Sequence, residues 1–303
     1  MSVDPGALPI TARQPMLSRT SDFIELMKPG VTTLVLFTTF VGFCAGTKDA
    51  IPLLLLFNTL AGTALMAGAS GAFNMYAERR LDALMKRTAL RPLAAGRLRS
   101  RHALLFSLAA LVAGFAYLLV FVNPLTALLS AAIFASYLFL YTPLKKKTWL
   151  CTLVGAIPGA LPVVIGWTAA NATVSMRTLV LFAMIFLWQL PHFYSIGWMY
   201  REDYARAGVA VLSVVDLDGH RTARQAALFI LILISVTLLP FYFKMAGTRY
   251  LAGALVLGSG FLAYSIRFAR LRNLTSARQL FRASALYLPL LLILLVLDKI
   301  GMG

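Results

Sequence analysis

The chain has 303 residues, of which 60% are hydrophobic and only 13% are charged, and its formal net charge is +17. Soluble domains carry roughly 25% charged residues, so this composition excludes an ordinary soluble domain and favours an integral membrane protein. A strongly basic chain is also a candidate for nucleic-acid binding, but the distribution of its basic residues, described below, argues against that class.

Apolar runs predict nine transmembrane helices. Seven of the runs are close to the roughly 20 residues that an α-helix needs to cross a bilayer, whereas the strands of a β-barrel would alternate between apolar and polar residues. The first and last runs are short, and we expect them to extend into flanking residues. The predicted spans are residues 31–46, 51–73, 103–122, 125–141, 150–170, 179–199, 226–243, 251–268 and 286–297.

We expect one all-α membrane domain over residues 1–303. The polar segment 1–28 lacks the apolar run of a signal peptide and the amphipathic Arg/Ser-rich helix of a transit peptide, which favours a bacterial inner membrane. With the N-terminus in the cytoplasm, 23 of the 28 basic residues lie on the cytoplasmic side. The positive-inside rule therefore predicts an N-in/C-out orientation and explains the basicity without nucleic acid. The five remaining outside are Lys48, Arg177, Lys244, Arg249 and Lys299.

Acidic residues are scarce and gather after the second and the sixth predicted span. Asn74, Glu78 and Asp82 follow the second span at intervals of four residues, and we expect Glu78 and Asp82 to lie in the loop after it. In a helical conformation that spacing places the three oxygen-bearing side chains on one side. Mg²⁺ takes oxygen ligands, usually one or two carboxylates together with substrate phosphates. The stripe predicts a Mg²⁺ site; a solvated loop whose acids offset nearby arginines is the alternative.

Basic side chains close to these acids are candidates for binding phosphate oxygens, because arginine can donate two parallel hydrogen bonds to phosphate. Three follow the acidic stripe, namely Lys86, Arg87 and Arg91. Three more follow the fourth span in the stretch YTPLKKKTW, namely Lys145, Lys146 and Lys147. The alternative for the second group is that its three lysines serve only to set the membrane topology.

The sixth span ends in PHFYSIGWMYREDYARAG, which combines ionisable and aromatic side chains. Glu202 and Asp203 are further candidate metal ligands, and Arg201 precedes them. His192 lies within the membrane, where an ionisable side chain is costly and usually functional, and about 20° from Asp203 in helical projection. A packing histidine bonded to a backbone carbonyl is the alternative. Tyr194 is a candidate contact for a cationic or aromatic substrate, or an interfacial anchor.

Taken together, these stretches resemble the UbiA superfamily of intramembrane prenyltransferases and, more narrowly, its protoheme IX farnesyltransferase (heme O synthase) branch. NMYAERRLDALMKRTALRPLAAG resembles the signature N-x-x-x-D/E-x-x-x-D-x-x-M-x-R-T-x-x-R-P-L. The resemblance recurs in MKPGVTTLVLFTTFVG, YTPLKKKTW, GAIPGALPVVIGW and PHFYSIGWMYREDYARAGVAVL, and so covers roughly residues 27–215.

The resemblance implies a UbiA-type bundle in which farnesyl diphosphate alkylates a vinyl group of heme b, with hydration, giving heme O and diphosphate. Mg²⁺ is the implied cofactor; the implied partners are the bilayer and a heme A synthase or terminal-oxidase assembly factors. The resemblance implies a role in catalysis for Asn74, Glu78, Asp82 and Asp203. It implies a role in Mg²⁺ binding for Asn74, Glu78, Asp82, Glu202 and Asp203. It implies a role in substrate binding for Lys86, Arg87, Arg91, Lys145, Lys146, Lys147, His192, Tyr194 and Arg201.

Two other functions stay open at this point. Glu78 stands where many superfamily members have Asp, and the REDY motif has fewer acids than relatives that act on aromatic acids. This favours the heme branch over a 4-hydroxybenzoate or other quinone-precursor prenyltransferase, and leaves the ligands of a second metal open. A secondary transporter would have coupling sites near the bilayer midplane, where the predicted spans hold almost no carboxylates.

Overall fold

The computed structural model describes residues 17–48 and 50–299; predictions that concern residues 1–16 lie outside this part of the chain. Within it the chain is helical, with turns and one isolated antiparallel bridge between Ala246 and Lys299. The helices are α1 Leu17–Leu26, α2 Pro29–Gly46, α3 Leu53–Asp82, α4 Ser100–Phe121, α5 Pro124–Ser136, α6 Thr142–Leu144, α7 Cys151–Asn171, α8 Met176–Met199, α9 Arg201–Arg206, α10 Leu212–Val215, α11 His220–Thr237, α12 Leu239–Tyr242, α13 Thr248–Leu271 and α14 Leu274–Leu297. A π-helical turn, Tyr137–Tyr141, joins α5 to α6.

Nine helices among the described residues are long and apolar enough to cross a membrane, which confirms the predicted number. Two of them include a short continuation: α5 runs through the π-helical turn into α6, and α11 runs into α12. The first span begins at Pro29, where the fixed φ of proline suits the first turn of a helix. The last begins at Leu274, after a capping box in which Asn273 Oδ1 accepts from the Ser276 amide at 2.9 Å. Both short runs therefore extend as expected.

Helix α3 differs from the prediction in a way that matters for function. It continues past the predicted end at residue 73 to Asp82, so the expectation that Glu78 and Asp82 lie in a loop is wrong. Hydropathy marks the edge of the membrane and not the end of the helix, and Ala, Glu, Arg and Leu in this stretch are good helix formers. At about 1.5 Å per residue, the 30 residues of α3 span about 45 Å, which exceeds the hydrocarbon thickness of about 30 Å.

Helices α2 and α7 approach each other closely at two glycines. A Cβ atom at Gly42 would lie 2.0 Å from the carbonyl oxygen of Val163, and one at Gly166 would lie 1.9 Å from that of Thr39. A real Cβ atom could not lie this close to a carbonyl oxygen, so both positions require glycine. Small residues are typical where the backbones of transmembrane helices pack against each other. The pair fixes α2, and hence the N-terminal side of the cavity, against the centre of the bundle.

Replacing Gly166 with Ala is therefore expected to destabilise the bundle by about 1–3 kcal/mol or more, because the added methyl group must push α2 and α7 apart. Thermal unfolding of the purified protein in detergent measures the change. Gly260→Ala on α13 is the matched control, since its Cβ would meet nothing within 4 Å. Equal melting temperatures for the two variants would contradict this account of the packing.

Helices α7 and α8 are the most buried of the nine spans among the described residues. Helix α8 packs against α7, α11 and α14, and the main hydrophobic core surrounds it with side chains such as Met184, Ile185 and Leu190. This central position makes α8 one wall of the cavity described next, and it places the end of α8, with Asp203 shortly after it, next to the loop that follows α3.

Candidate active site

A cavity of about 480 Å³ opens within the bundle, a size typical of small-molecule sites. Its walls come from α2, α3, α5, α7, α8 and α14. The lining is mainly apolar and aromatic, with a few polar groups that include Lys28, Gln189 and His192. The cavity therefore suits a ligand with a large apolar part and a small number of polar contacts.

The acidic stripe of α3 is buried and paired with cations. Glu78 accepts hydrogen bonds from Lys145 Nζ at 2.9 Å on both carboxylate oxygens, and Asp82 accepts from Arg91 Nη1 at 2.8 and 2.9 Å. All three side chains of the stripe, Asn74 included, are at most 3% exposed. The predicted alignment of the three side chains and their proximity to Arg91 and Lys145 is thus what the structure has.

Lys28, one of the 23 basic residues that the positive-inside rule places in the cytoplasm, joins this group. Its Nζ donates to Asn74 Oδ1, and its backbone adopts the left-handed conformation with φ 52° just before α2. Burial is the main cause that lowers the Lys28 pKa to about 8; Arg91 lowers it further, and Glu78 acts in the opposite direction. The residue before a proline is disfavoured in the α region, so the dipeptide Lys28–Pro29 was the available signal that this lysine breaks the helix.

The charged cluster, as we call it, comprises Lys28, Asn74, Glu78, Asp82, Arg91 and Lys145. It contains three cations and two carboxylates, so it has a surplus of positive charge that favours an anion. Burial lowers the Lys145 pKa, but the Glu78 carboxylate beside it outweighs burial and raises the pKa above its ordinary value. Lys145 is therefore a fixed positive charge inside the cluster.

The loop after α3 contacts α9, and this contact brings the two acidic motifs together. The Arg87 backbone N–H donates to Asp203 Oδ2 at 3.3 Å, and its guanidinium donates to the Tyr204 hydroxyl at 3.3 Å. The same guanidinium lies 4.9 Å from the ring centroid of Tyr200. Asp203 also forms an ion pair with Arg206. Arg87 thus connects segments that are more than one hundred residues apart in sequence.

Several candidate residues lie at the surface, outside this network. Arg201 is exposed and its guanidinium stacks on Trp198, 4.5 Å from the ring centroid. The other four are exposed and make no ion pair or side-chain hydrogen bond with the described residues: Lys86, Lys146, Lys147 and Glu202.

Two tyrosines that are not among the predicted site residues connect the charged cluster to the cavity. Tyr137 and Tyr141 stack at 5.0 Å between ring centroids, on opposite ends of the π-helical turn, and both line the cavity. Lys145 Nζ lies 5.3 Å from the Tyr141 centroid. A π-turn inside an α-helix is rare and frequently occurs at a functional site. Lys28 also connects the two, because it is the member of the charged cluster that lines the cavity.

His192 and Tyr194 both line the cavity on α8. His192 Nδ1 lies 2.7 Å from Ser284 Oγ of α14, so this histidine is tied to a side chain and not to a backbone carbonyl. The Tyr194 hydroxyl donates to Gln225 Oε1 of α11 at 2.8 Å, and the side chain is 3% exposed. Tyr194 is therefore part of the helix packing and not an interfacial anchor.

The donor set of the cluster fits Mg²⁺. Two buried carboxylates, Glu78 and Asp82, lie one helical turn apart, and the Asn74 amide precedes them by another turn. Mg²⁺ in phosphate sites takes one or two carboxylates and completes its shell with phosphate oxygens and waters. Across 17–48 and 50–299, no three carboxylate, histidine or cysteine side chains gather into a cage. Substrate phosphate would therefore supply the remaining ligands.

Residues 35–291 match the sequence pattern of the UbiA prenyltransferase family. The chain belongs to that family. It is a multi-pass membrane prenyltransferase, as the motifs indicated. A protoheme IX farnesyltransferase of Solibacter usitatus (strain Ellin6076) is 49% identical to it over 290 residues, which cover 93% of this chain and 99% of the relative.

Solved structures have the same fold. A structure described as digeranylgeranylglyceryl phosphate synthase has a TM-score of 0.77 and 17% identity, covering 93% of this chain and 98% of that one. A UbiA homolog from Archaeoglobus fulgidus bound to DMAPP and Mg²⁺ has a TM-score of 0.63 and 18% identity, covering 90% and 99%. The predicted UbiA-type helical bundle is thereby confirmed.

Proposed function

We propose that this prenyltransferase transfers the farnesyl group of farnesyl diphosphate to a vinyl group of protoheme IX, with hydration, to give heme O. The observation that carries the proposal is the 49% identity, over nearly the whole of both chains, to a protein named for that reaction. The cavity supports it: an apolar and aromatic chamber is joined through Lys28 and Tyr141 to a buried cluster with surplus positive charge.

The charged cluster would hold the diphosphate. Lys28, Lys145 and Arg91 are buried or half-buried cations already fixed by hydrogen bonds, so little reorganisation is needed when an anion arrives. Asp203, which accepts a hydrogen bond from the Arg87 backbone N–H, would hold the facing side. Asn74, Glu78 and Asp82 would hold Mg²⁺, with Glu202 the least favoured of the predicted ligands because it is exposed. When bound, Mg²⁺ would neutralise charge on the departing diphosphate.

The reaction follows from this arrangement. The C–O bond between the farnesyl chain and diphosphate breaks, and the oxygen keeps the electron pair, which the cations stabilise. The π electrons of the vinyl group form the new bond to the allylic carbon. Water adds to the resulting cation and loses a proton, leaving a hydroxyl group. Tyr137 and Tyr141 line the cavity beside the cluster, where their ring faces would stabilise the positive charge on the allylic carbon.

The proposal is tested by offering the purified protein farnesyl diphosphate with either of two acceptors, heme b or 4-hydroxybenzoate, and identifying the products. We expect prenylation of heme b alone. Prenylation of 4-hydroxybenzoate with heme b unchanged would assign the chain to the quinone-precursor branch. Failure of both acceptors, with the protein folded and diphosphate bound, would reject both assignments.

The chain is also proposed to form a single integral domain in a bacterial inner membrane, with its N-terminus in the cytoplasm. Charge supports this orientation, since 23 of 28 basic residues then lie on the cytoplasmic side. The charged cluster would face the cytoplasm, where a hydrated diphosphate is available. Proteins that consume the product, such as a heme A synthase or terminal-oxidase assembly factors, are the proposed partners.

Labelling of single cysteines should confirm the orientation. Lys146→Cys is expected to react with a membrane-impermeant reagent only after the cell is opened, and Lys244→Cys in intact spheroplasts. Both positions are exposed, so they form a matched pair. The native Cys44 and Cys151 are buried and should contribute little background. The reverse labelling pattern would place both acidic motifs on the outer face and contradict the proposal.

A division of labour between Asp203 and His192 is expected in binding measurements. Asp203→Ala should weaken Mg²⁺-dependent binding of diphosphate, because Arg87 loses its backbone anchor, while heme still binds. His192→Ala should weaken heme binding while diphosphate binding persists. Isothermal titration with each ligand measures both effects, and Asp218→Ala is the control, since its side chain is exposed and has no assigned role. Loss of diphosphate affinity in both variants, with heme affinity intact, would contradict the division.

A further inference from the structure

Two residues of α8, one helical turn apart, hold the same residue of α14 at the cavity wall. Trp188 Nε1 donates to the Ser284 carbonyl oxygen at 2.8 Å, and His192 Nδ1 lies 2.7 Å from Ser284 Oγ. Ser284 is fully buried, so no bulk water competes for its hydroxyl group. His192 lines the cavity, whereas Ser284 lies behind it.

The hydrogen-bond network around Ser284 assigns the tautomer of His192. The Ser284 hydroxyl donates to the Phe281 carbonyl oxygen at 2.6 Å, and a hydroxyl has only one hydrogen to give. Toward His192, therefore, Ser284 Oγ can only accept, and Nδ1 must carry the proton. No carboxylate of the described residues forms a hydrogen bond or ion pair with this imidazole, which favours the neutral ring. Nε2 then has a lone pair, and no described residue donates a hydrogen bond to it.

Aromatic contacts fix the plane of the His192 ring. Trp188 and Phe281 each lie 5.0 Å from it between centroids, at interplanar angles of 25° and 31°, and Phe193 meets it edge-on at 5.8 Å. The ring is thus held both in rotation and in tautomer. A histidine that served only as packing would need neither an assigned tautomer nor an unpaired acceptor nitrogen at a cavity wall.

We infer that His192 Nε2 binds the iron of the heme acceptor, and that Ser284 is the positioning residue that holds His192 as the Nδ1–H tautomer for this purpose. The inference rests on the proposed function, which supplies heme as substrate. Neutral imidazole is a common iron ligand, and a ligating histidine nearly always donates its other ring N–H to a fixed acceptor. Loss of such an acceptor typically lowers metal affinity 10–100-fold.

Ligation at His192 would set the position of the porphyrin relative to the charged cluster. Helix α8 carries His192 inside the bundle, and Asp203 follows after its end, eleven residues further along the chain. An iron held at this depth keeps the porphyrin in the apolar part of the cavity while diphosphate stays at Lys28. The vinyl group to be alkylated would then lie between the two.

The test is a heme b titration of the purified protein, followed by the Soret band and by resonance Raman detection of an iron–histidine bond. The wild type and Ser265→Ala should bind equally; Ser265 is a matched control, because it is buried on α13 and its hydroxyl has no hydrogen-bond partner among the described residues. Ser284→Ala should bind about 10-fold more weakly, with an altered iron–histidine band. Ser284→Thr, which keeps the hydroxyl, should restore both. Binding of farnesyl diphosphate should be unchanged in all variants.

The outcomes separate this inference from the proposed function. Conversion of heme b by a wild type whose bound heme lacks a histidine ligand would overturn the inference alone. Wild-type heme affinity and an unchanged iron–histidine band in Ser284→Ala would also overturn the inference alone. Ser284→Ala loses one oxygen and is expected to fold, so its comparison with Ser265→Ala is decisive even if Ser284→Thr is unstable. A wild type that neither binds nor converts heme b would overturn both.

Discussion

Replacing Asp82 with Ala is expected to lower heme O production by at least about 100-fold while the protein remains inserted and folded. Asp82 is 1% exposed and binds Arg91 through both carboxylate oxygens, so it fixes a cation and offers a candidate Mg²⁺ ligand in one place. Removing one group that stabilises charge in the transition state typically costs two or more orders of magnitude in turnover. Steady-state turnover with saturating substrates measures the loss.

A matched control for this variant exists elsewhere in the chain. Asp22 on α1 is also 1% exposed and forms an ion pair with Arg97 at 3.3 Å, and among the described residues it has no ion pair or hydrogen bond with the charged cluster. Asp22→Ala should lose a buried carboxylate and its ion pair, and keep turnover close to that of the wild type per folded molecule. Near-normal activity of Asp82→Ala, or equal losses in the two variants, would contradict the assignment of the site.

Replacing Lys145 with Met is expected to reduce both stability and turnover. Glu78 would remain buried without its partner, and breaking a buried pair in this way typically costs about 3–5 kcal/mol of folding free energy. The diphosphate would also lose one of its fixed cations, for which we expect a further loss of turnover of about 100-fold. Thermal unfolding and turnover are measured on the same preparation.

The double variant Glu78→Gln with Lys145→Met separates the two effects. Neutralising both partners removes the unpaired buried charge, so most of the stability should return. Turnover should stay low, because neither the cation nor the carboxylate is restored. Recovery of turnover together with stability would mean that the pair serves folding alone and has no part in the reaction.

The membrane architecture was predictable from the sequence because lipid imposes a simple rule. A chain that crosses a bilayer must pair its backbone polar groups internally, so each long apolar run becomes a helix. That rule gave the nine spans. It could not locate the end of α3, since the helix leaves the membrane before it ends and the apolar pattern stops at the membrane's edge. The structure therefore moves Glu78 and Asp82 from a loop onto a helix.

The acidic stripe was predictable because its members are close in sequence, and four-residue spacing aligns them on any helix. The rest of the site consists of contacts between distant segments. Lys28 reaches Asn74 across 46 positions, Arg87 reaches Asp203 across 116, and His192 reaches Ser284 across 92. No local pattern encodes such pairings. The π-helical turn at Tyr137–Tyr141 could not be predicted either, because the surrounding sequence resembles an ordinary apolar helix.

One cavity is proposed to bring an allylic diphosphate and a porphyrin together and to let water complete the reaction. The most direct measurement is the mass of the product formed from farnesyl diphosphate and heme b in ¹⁸O-labelled water. We expect each product molecule to carry one farnesyl group and one oxygen from the solvent, and we expect Asp82→Ala to form almost no product. A farnesylated porphyrin without solvent oxygen would contradict this proposal. So would heme b that is recovered unchanged from a folded protein.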